Sequence, residues 1–274
     1  MLFDTHCHLN IVVKDTFDRL LTTEEIQSAQ EIITNAAQHD VQYILNVGTS
    51  LVESINCIQI AKYYTNNFAA IGIHPNDLTT DWKNDIKEIE KLLHHKEQNK
   101  IVAIGECGFD RHYPEYNIQR QYDAFHAQVE LALEYDCALV VHTRDAREET
   151  ARALEQYKGQ LTRGVIHCFS ENNDFAQFSI DLGFYLGIGG TLTYPKNKEL
   201  RDIFSSVPLE SVVLETDAPY LPPQPLRGKK NYPQNVSMIA EYLAQLRTTS
   251  RETIAHQTTK NAFNLFQLNA VDIK

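Results

Sequence analysis

Eight short apolar, β-branched runs recur along the chain, each followed by a polar stretch with helical spacing. They are LFDTH (2–6), YILNVG (43–48), AAIGIH (69–74), IVAIGE (101–106), ALVVH (138–142), GVIHC (164–168), GFYLGIGG (183–190) and SVVLETD (211–217). Runs this uniformly apolar suit strands of a parallel sheet covered by helices. Between them Tyr122, Phe125, Val129 and Ala132 fall on one helical face, as do Ile86, Ile89, Leu92 and Leu93. Eight such units in 274 residues favour a closed TIM (β/α)8 barrel, an α/β fold that takes about 250 residues. An open doubly wound sheet is the alternative. It should carry a glycine-rich phosphate turn after its first strand, where this chain has HCHLN. With no internal repeat, low-complexity tract or linker, the sequence predicts a single domain over 1–274.

One segment breaks the rhythm. Residues 217–233, DAPYLPPQPLRGKKNYP, hold five of the nine prolines, which excludes a regular helix or a central strand and predicts a long ordered loop after the eighth strand. Helical spacing returns from Asn235 to Leu268.

Composition narrows the function. No stretch approaches the ~20 apolar residues of a membrane span, and no basic region with an apolar run opens the chain, so a cytosolic address is expected. Five cysteines without CxxC spacing point to reduced thiols rather than disulfides or a thiolate zinc knot. The net charge of −11 excludes a protein that grips long duplex DNA by charge alone. A polyanion here requires metal ions or a local basic loop.

The ionisable residues fall where strands give way to loops. The first run ends at His6, with His8 two residues on, and i, i+2 spacing lets both imidazoles face the barrel mouth. The third run ends in His74, the fourth in Glu106, the fifth in His142, the sixth reaches His167, and the eighth ends in Asp217. His39, His94, His95, His126 and His256 lie in helix-like stretches and His112 in a loop, and these six are expected at the surface. So many polar groups on one rim would cost several kcal/mol to bury unpaired, a cost that shared cations remove. Imidazole and carboxylate without thiolate suit Zn²⁺, Mn²⁺, Fe²⁺, Co²⁺ or Ni²⁺. Six ligands exceed what one open catalytic ion needs and suit two ions sharing a carboxylate.

The stretches DTHCHLN (4–10), IGIHP (71–75), IGECGFD (104–110), VVHTRDA (140–146), GVIHCFS (164–170), LETDAPYLPP (214–223), RGKKN (227–231) and NAFNLF (261–266) together resemble the TatD family of metal-dependent hydrolases, within the amidohydrolase-like barrels. The resemblance implies two divalent ions (zinc, magnesium or manganese), the first bound by His6, His8 and Asp217. Glu106 bridges to the second, which His142 and His167 complete, and His74 matches a position near the substrate phosphate. The implied activity is hydrolysis of DNA, often 3′→5′ on single strands. The alternative is an esterase or amidase of the same superfamily, such as a D-aminoacyl-tRNA deacylase. The chain departs from the family pattern at Glu171, at Arg111 with His112, and at Tyr232.

These readings give a two-ion phosphodiesterase with Asp217 and Glu106 as its catalytic carboxylates, Asp217 orienting the attacking water and taking its proton. His74, Arg144 and Arg227 are expected to hold phosphate oxygens, and Tyr220 and Tyr232 are candidates to stack a base. Plainer roles compete at several positions. Asp4 can orient a ligand imidazole, Asp110 can do the same or cap a helix, and Arg144 can pair with Asp145. The basic loop can be solvated, and its tyrosines can pack on prolines. The expected substrate is single-stranded DNA ends, without a membrane partner, and the expected state is a monomer.

Overall fold

The computed structural model describes residues 1–268. Its strands are β1 (Leu2–Cys7), β2 (Val41–Val47), β3 (Asn67–Ile71), β4 (Ile101–Asp110), β5 (Ala138–Arg144), β6 (Gly164–Ile166), β7 (Phe184–Ile188) and β8 (Val212–Leu214). All seven pairings are parallel, in the order β1 to β8, with helices between successive strands. This is the expected (β/α)8 barrel. Each of the eight apolar runs supplies one strand, but the ends differ from expectation. β4 runs four residues past Glu106, whereas β3, β6 and β8 stop before His74, His167 and Asp217.

Several helices start where side chains satisfy their free N–H groups. Thr22 and Glu25 form a reciprocal capping box on α2 (Thr23–Gln38). Ser50 and Asn117 accept from the third amide of α3 (Leu51–Tyr63) and α5 (Ile118–Glu134). α5 buries Phe125, Val129 and Ala132, and α4 (Trp82–Leu93) buries Ile86, Ile89 and Leu93, the faces expected from spacing. The core falls into two clusters of opposite strand parity. Ile44, Ile71, Ile104, Leu139, Val141, Ile166 and Leu186 pack with the helices. Phe3, Leu45, Phe68, Ala103, Val140, Val165 and Val213 form the other, joined by Leu265 and Phe266 of the last described helix (Arg251–Phe266).

The seam between β8 and β1 closes differently from the rest. It has one isolated bridge, Cys7 to Ala218, and relies on a side chain. Asp4 accepts from the Thr216 N–H at 2.9 Å and from its hydroxyl at 2.6 Å. Beside it the Asp217 N–H donates to the His6 carbonyl and the His8 N–H to that of Ala218. Asp4 therefore serves the backbone seam rather than an imidazole, and burial pushes its carboxyl well above the usual range. None of the described helices is long and apolar enough to cross a membrane, and the five cysteines are unpaired thiols.

β4 is held against β5 at unusually close range. Its register shifts between Ile104 and Cys107, and Gly105 and Gly108 have φ of +136° and +148°. A Cβ on Gly108 would stand 2.0 Å from the His142 carbonyl oxygen. The glycines of IGECGFD thus let β4 bulge where Glu106 turns toward the barrel mouth. Gly108→Ala is expected to cost at least about 2 kcal/mol. A urea midpoint equal to that of the parent protein would contradict this close approach.

Candidate metal centre

The chain brings His6, His8, Glu106, His142, His167 and Asp217 to one place at the strand C-termini. The rings of His6 and His167 stack with centroids 4.0 Å apart. His8 is not placed by strand alternation, as its i+2 spacing suggested. β1 shifts register between Asp4 and Cys7, and His8 stands just before α1 (Leu9–Lys14) with φ −95° and ψ 63°.

Glu106 divides its two oxygens between two sets of nitrogens. Oε2 lies 3.3 Å from His6 Nε2 and 3.7 Å from His8 Nε2. Oε1 lies 2.8 Å from His142 Nδ1 and 2.7 Å from His167 Nε2. Asp217 Oδ1 completes the first set, 3.7 Å from His6 Nε2 and 3.3 Å from His8 Nε2, and those two nitrogens are 3.2 Å apart. Ligands about 2.0–2.2 Å from a tetrahedral ion stand about 3.3–3.6 Å from one another. The spacings of the first set, 3.2–3.7 Å, bracket this range, so its donors suit a cation in both chemistry and distance. Among the described residues, His6–His8–Glu106 and Glu106–His142–His167 each bring three potential donor atoms within 4.8 Å of one another.

The outward nitrogens fix which atom each ring presents. His8 Nδ1 faces the Val47 carbonyl at 2.8 Å. That carbonyl can only accept, so the neutral ring leaves its Nε2 lone pair toward the centre. His142 Nε2 faces Asp110 Oδ2 at 3.1 Å, which leaves Nδ1 for the centre. Asp110 also accepts from Asn76 Nδ2 and the His112 N–H, so it orients the His142 ring instead of capping a helix. His74 lies beyond β3, with Nε2 3.6 Å from Glu106 Oε1. Its Nδ1 accepts the Asn76 N–H, so the neutral ring turns an Nε2–H donor toward the site.

Electrostatics follow this geometry. Burial works against charge on Glu106, but His167, His6 and His142 outweigh it and hold its carboxyl well below the usual range. Burial also opposes charge on His167, and Glu106 reverses that, raising the imidazole well above its ordinary value. His142 is raised against burial by Asp110 and Glu106, and His8 by Asp217. His74 is pushed down to about 3 by burial and then by His142. It is a neutral donor at pH 7.

One functional candidate escaped the sequence reading. Glu215 is fully buried and its Oε1 accepts the Cys168 N–H at 2.6 Å, while Oε2 has no partner. One oxygen of Glu215, one nitrogen of His6 and one of His167 lie within 4.8 Å of one another. Glu215 Oε1 lies 3.7 Å from His167 Nδ1, which suits a group that orients that ring. The only sequence signal was a carboxylate inside an apolar run. Gly187 makes room, since a Cβ there would lie 2.3 Å from Oε2.

The remaining rim residues sort differently. Arg144 does not pair with Asp145. Its guanidinium carbon is 5.8 Å from the Tyr113 ring centroid, and Asp145 pairs with His112 at 2.9 Å. Arg227 is exposed and lies over Tyr194 at 4.6 Å. Lys230 is tied down by the Val12 carbonyl. Tyr220 is 43% exposed and edge-on to His8, whereas Tyr232 packs against the core. Asn231, fully buried, secures the proline-rich loop through the carbonyls of Thr216 and Tyr220. Glu171 faces Arg147 at 3.8 Å. His126, expected at the surface, is half-buried and bonds Tyr157.

Comparison with known proteins agrees with this geometry. The family model described as TatD related DNase matches residues 3–267. A Bacillus subtilis protein described as an uncharacterized metal-dependent hydrolase, YabD, is 34% identical, covering 98% of this chain and 100% of its own. A Citrobacter koseri protein named 3'-5' ssDNA/RNA exonuclease TatD is 31% identical, covering 90% and 96%. The crystal structure of YjjV, a TatD homolog from Escherichia coli, superposes with a TM-score of 0.87 at 28% identity over 98% of both chains.

Because His8, His142 and His167 have raised pKa values, protein stripped of metal binds protons there at higher pH than free histidine would. Loading with Zn²⁺ or Mn²⁺ at pH 7 is therefore expected to release protons, and apparent affinity to rise with pH until these rings are neutral. Calorimetry in two buffers of different ionisation enthalpy measures the release. Identical heats in both would contradict the protonation pattern.

Proposed function

We propose, for a chain that belongs to the TatD-related DNase family, that this metal-dependent hydrolase removes nucleotides from the 3′ ends of single-stranded DNA with two divalent ions. The observation that carries the reading is the divided carboxylate of Glu106, one oxygen toward each nitrogen set. His6, His8 and Asp217 would hold one ion and His142 and His167 the other, with Glu106 shared between them. Two divalent cations (Zn²⁺, Mg²⁺ or Mn²⁺) supply the charge that lowers the pKa of water and offsets the charge of a phosphoryl group.

The chain's own residues do the rest. Asp217 is the most open carboxylate of the centre, its side chain 14% exposed against 4% for Glu106. It orients the attacking water and accepts its proton as the oxygen adds to phosphorus in line with the departing oxygen. The neutral His74 donates from Nε2 to a non-bridging oxygen, where negative charge gathers. Arg144, the last residue of β5, and Arg227, in the proline-rich loop, would hold neighbouring phosphates. The printed name of the Citrobacter koseri relative supports single-stranded nucleic acid as the substrate class. A closed barrel leaves no sheet edge that needs a second copy, and the enzyme acts as a cytosolic monomer.

The direct test supplies 5′-labelled single-stranded DNA with Mg²⁺, Mn²⁺ and Zn²⁺ in turn. Products shortened stepwise from the 3′ end are expected. Untouched DNA together with release of amino acid from D-aminoacyl-tRNA would replace this reading with an ester hydrolase. Asp217→Asn is expected to lower kcat by about 10²–10⁴-fold while the thermal midpoint stays within a few degrees. A normal kcat would remove Asp217 from its proton-accepting role.

A further inference from the structure

A cavity of about 280 Å³ lies among the loop after β3, the loop after β4 and the start of α5, lined by Asn76, Leu78, Tyr113, Glu115, Tyr116 and Arg120. Both loops leave the strand C-termini, so the cavity shares the face of the barrel that carries the metal centre. One wall is wired to that centre. Asn76 Nδ2 donates to Asp110 Oδ2 at 2.9 Å, and the same oxygen receives His142 Nε2. The Asn76 N–H bonds His74, so a group seated in the cavity would sit within two hydrogen bonds of the reacting phosphate.

Its lining suits a flat, partly polar ring. Tyr113 and Tyr116 are 52% and 37% exposed, an uncommon outlay of aromatic surface on adjoining turns. Each ring already carries a guanidinium, Arg144 over Tyr113 at 5.8 Å and Arg111 over Tyr116 at 5.5 Å. Arg111 is neutralised by Glu149, but Arg120 and Arg144 pair with no carboxylate among the described residues. With Glu115 the one carboxylate in the lining, these two unpaired cations leave this side of a chain with net charge −11 able to take an anionic ligand. The volume is below that of most drug-sized sites and suits a single nucleobase with its sugar at the mouth.

Resting on the phosphodiesterase reading, we infer that this cavity is a nucleobase subsite. It seats one unpaired base of the substrate on Tyr113 and Tyr116 while Arg144 meets the adjoining phosphate. Stacking accepts every base, so the subsite selects single strands over duplex without selecting sequence. A base must leave its duplex partner to enter.

The test measures anisotropy of a labelled single strand with phosphorothioate linkages on the metal-loaded enzyme, intact or with one abasic site at each of the last three positions. One abasic position is expected to weaken binding to the parent enzyme about 5- to 150-fold, the range for one stacked base. The Tyr113→Ala/Tyr116→Ala variant is expected to bind the intact strand as weakly and to be indifferent to the abasic site. Tyr113→Phe/Tyr116→Phe, which keeps the rings, is expected to restore the sensitivity, with unchanged metal content in both variants. A parent enzyme indifferent to every abasic site, or an alanine variant that stays sensitive, would overturn the subsite. Cleavage of ordinary DNA without base dependence would overturn it and leave the hydrolase reading standing. Base-dependent binding without cleavage would do the reverse, and no binding of any strand would overturn both.

Discussion

The centre depends on Glu106, a single buried carboxylate that faces imidazoles on both sides. Removing such a charge from water is costly, and the cost is recovered only when partners surround it closely. Here His142 and His167 approach one oxygen within 2.8 Å and His6 and His8 flank the other. No side chain with one coordinating atom could serve both sets at once. The backbone makes this possible, because β4 bulges against β5 on either side of Glu106. At Gly105 and Gly108 a Cβ would collide with the backbone of β5.

The second constraint is the seam. His6 and His8 belong to the first strand and Asp217 to the loop after the last, more than two hundred positions away. They meet because Asp4 replaces missing ladder hydrogen bonds with its own carboxylate, holding Thr216 by both backbone and hydroxyl. Behind His8, α1 is fastened by a buried ion pair. Lys14 and Glu53 lie 2.8 Å apart, and Glu53 also accepts from Asn10 and Asn56. The contacts that close the barrel therefore also bring His6 and His8 beside Asp217.

Much of this was legible in the chain. The eight apolar runs became the eight strands, and the histidines and carboxylates at their ends became neighbours, because a parallel barrel gathers strand C-termini on one rim. Strand ends were less legible. Nothing in IVAIGECGFD says that pairing continues past Glu106, since that depends on how closely β5 approaches. Supporting residues were harder still. An imidazole was one candidate partner for Asp4, and Asp145 a competing partner for Arg144, because residue type limits what a side chain can bond but not which neighbour it meets. Glu215, Asn76 and Asn231 gave little signal. Their partners come from other strands and loops, and only the folded chain supplies them.

The most direct measurement is a crystal of the Mn²⁺-soaked protein, with anomalous scattering collected at the manganese edge. Two peaks should flank the Glu106 carboxylate, one among His6, His8 and Asp217 and the other between His142 and His167. A single peak, or peaks that leave Glu106 without a metal contact, would contradict the shared-carboxylate centre.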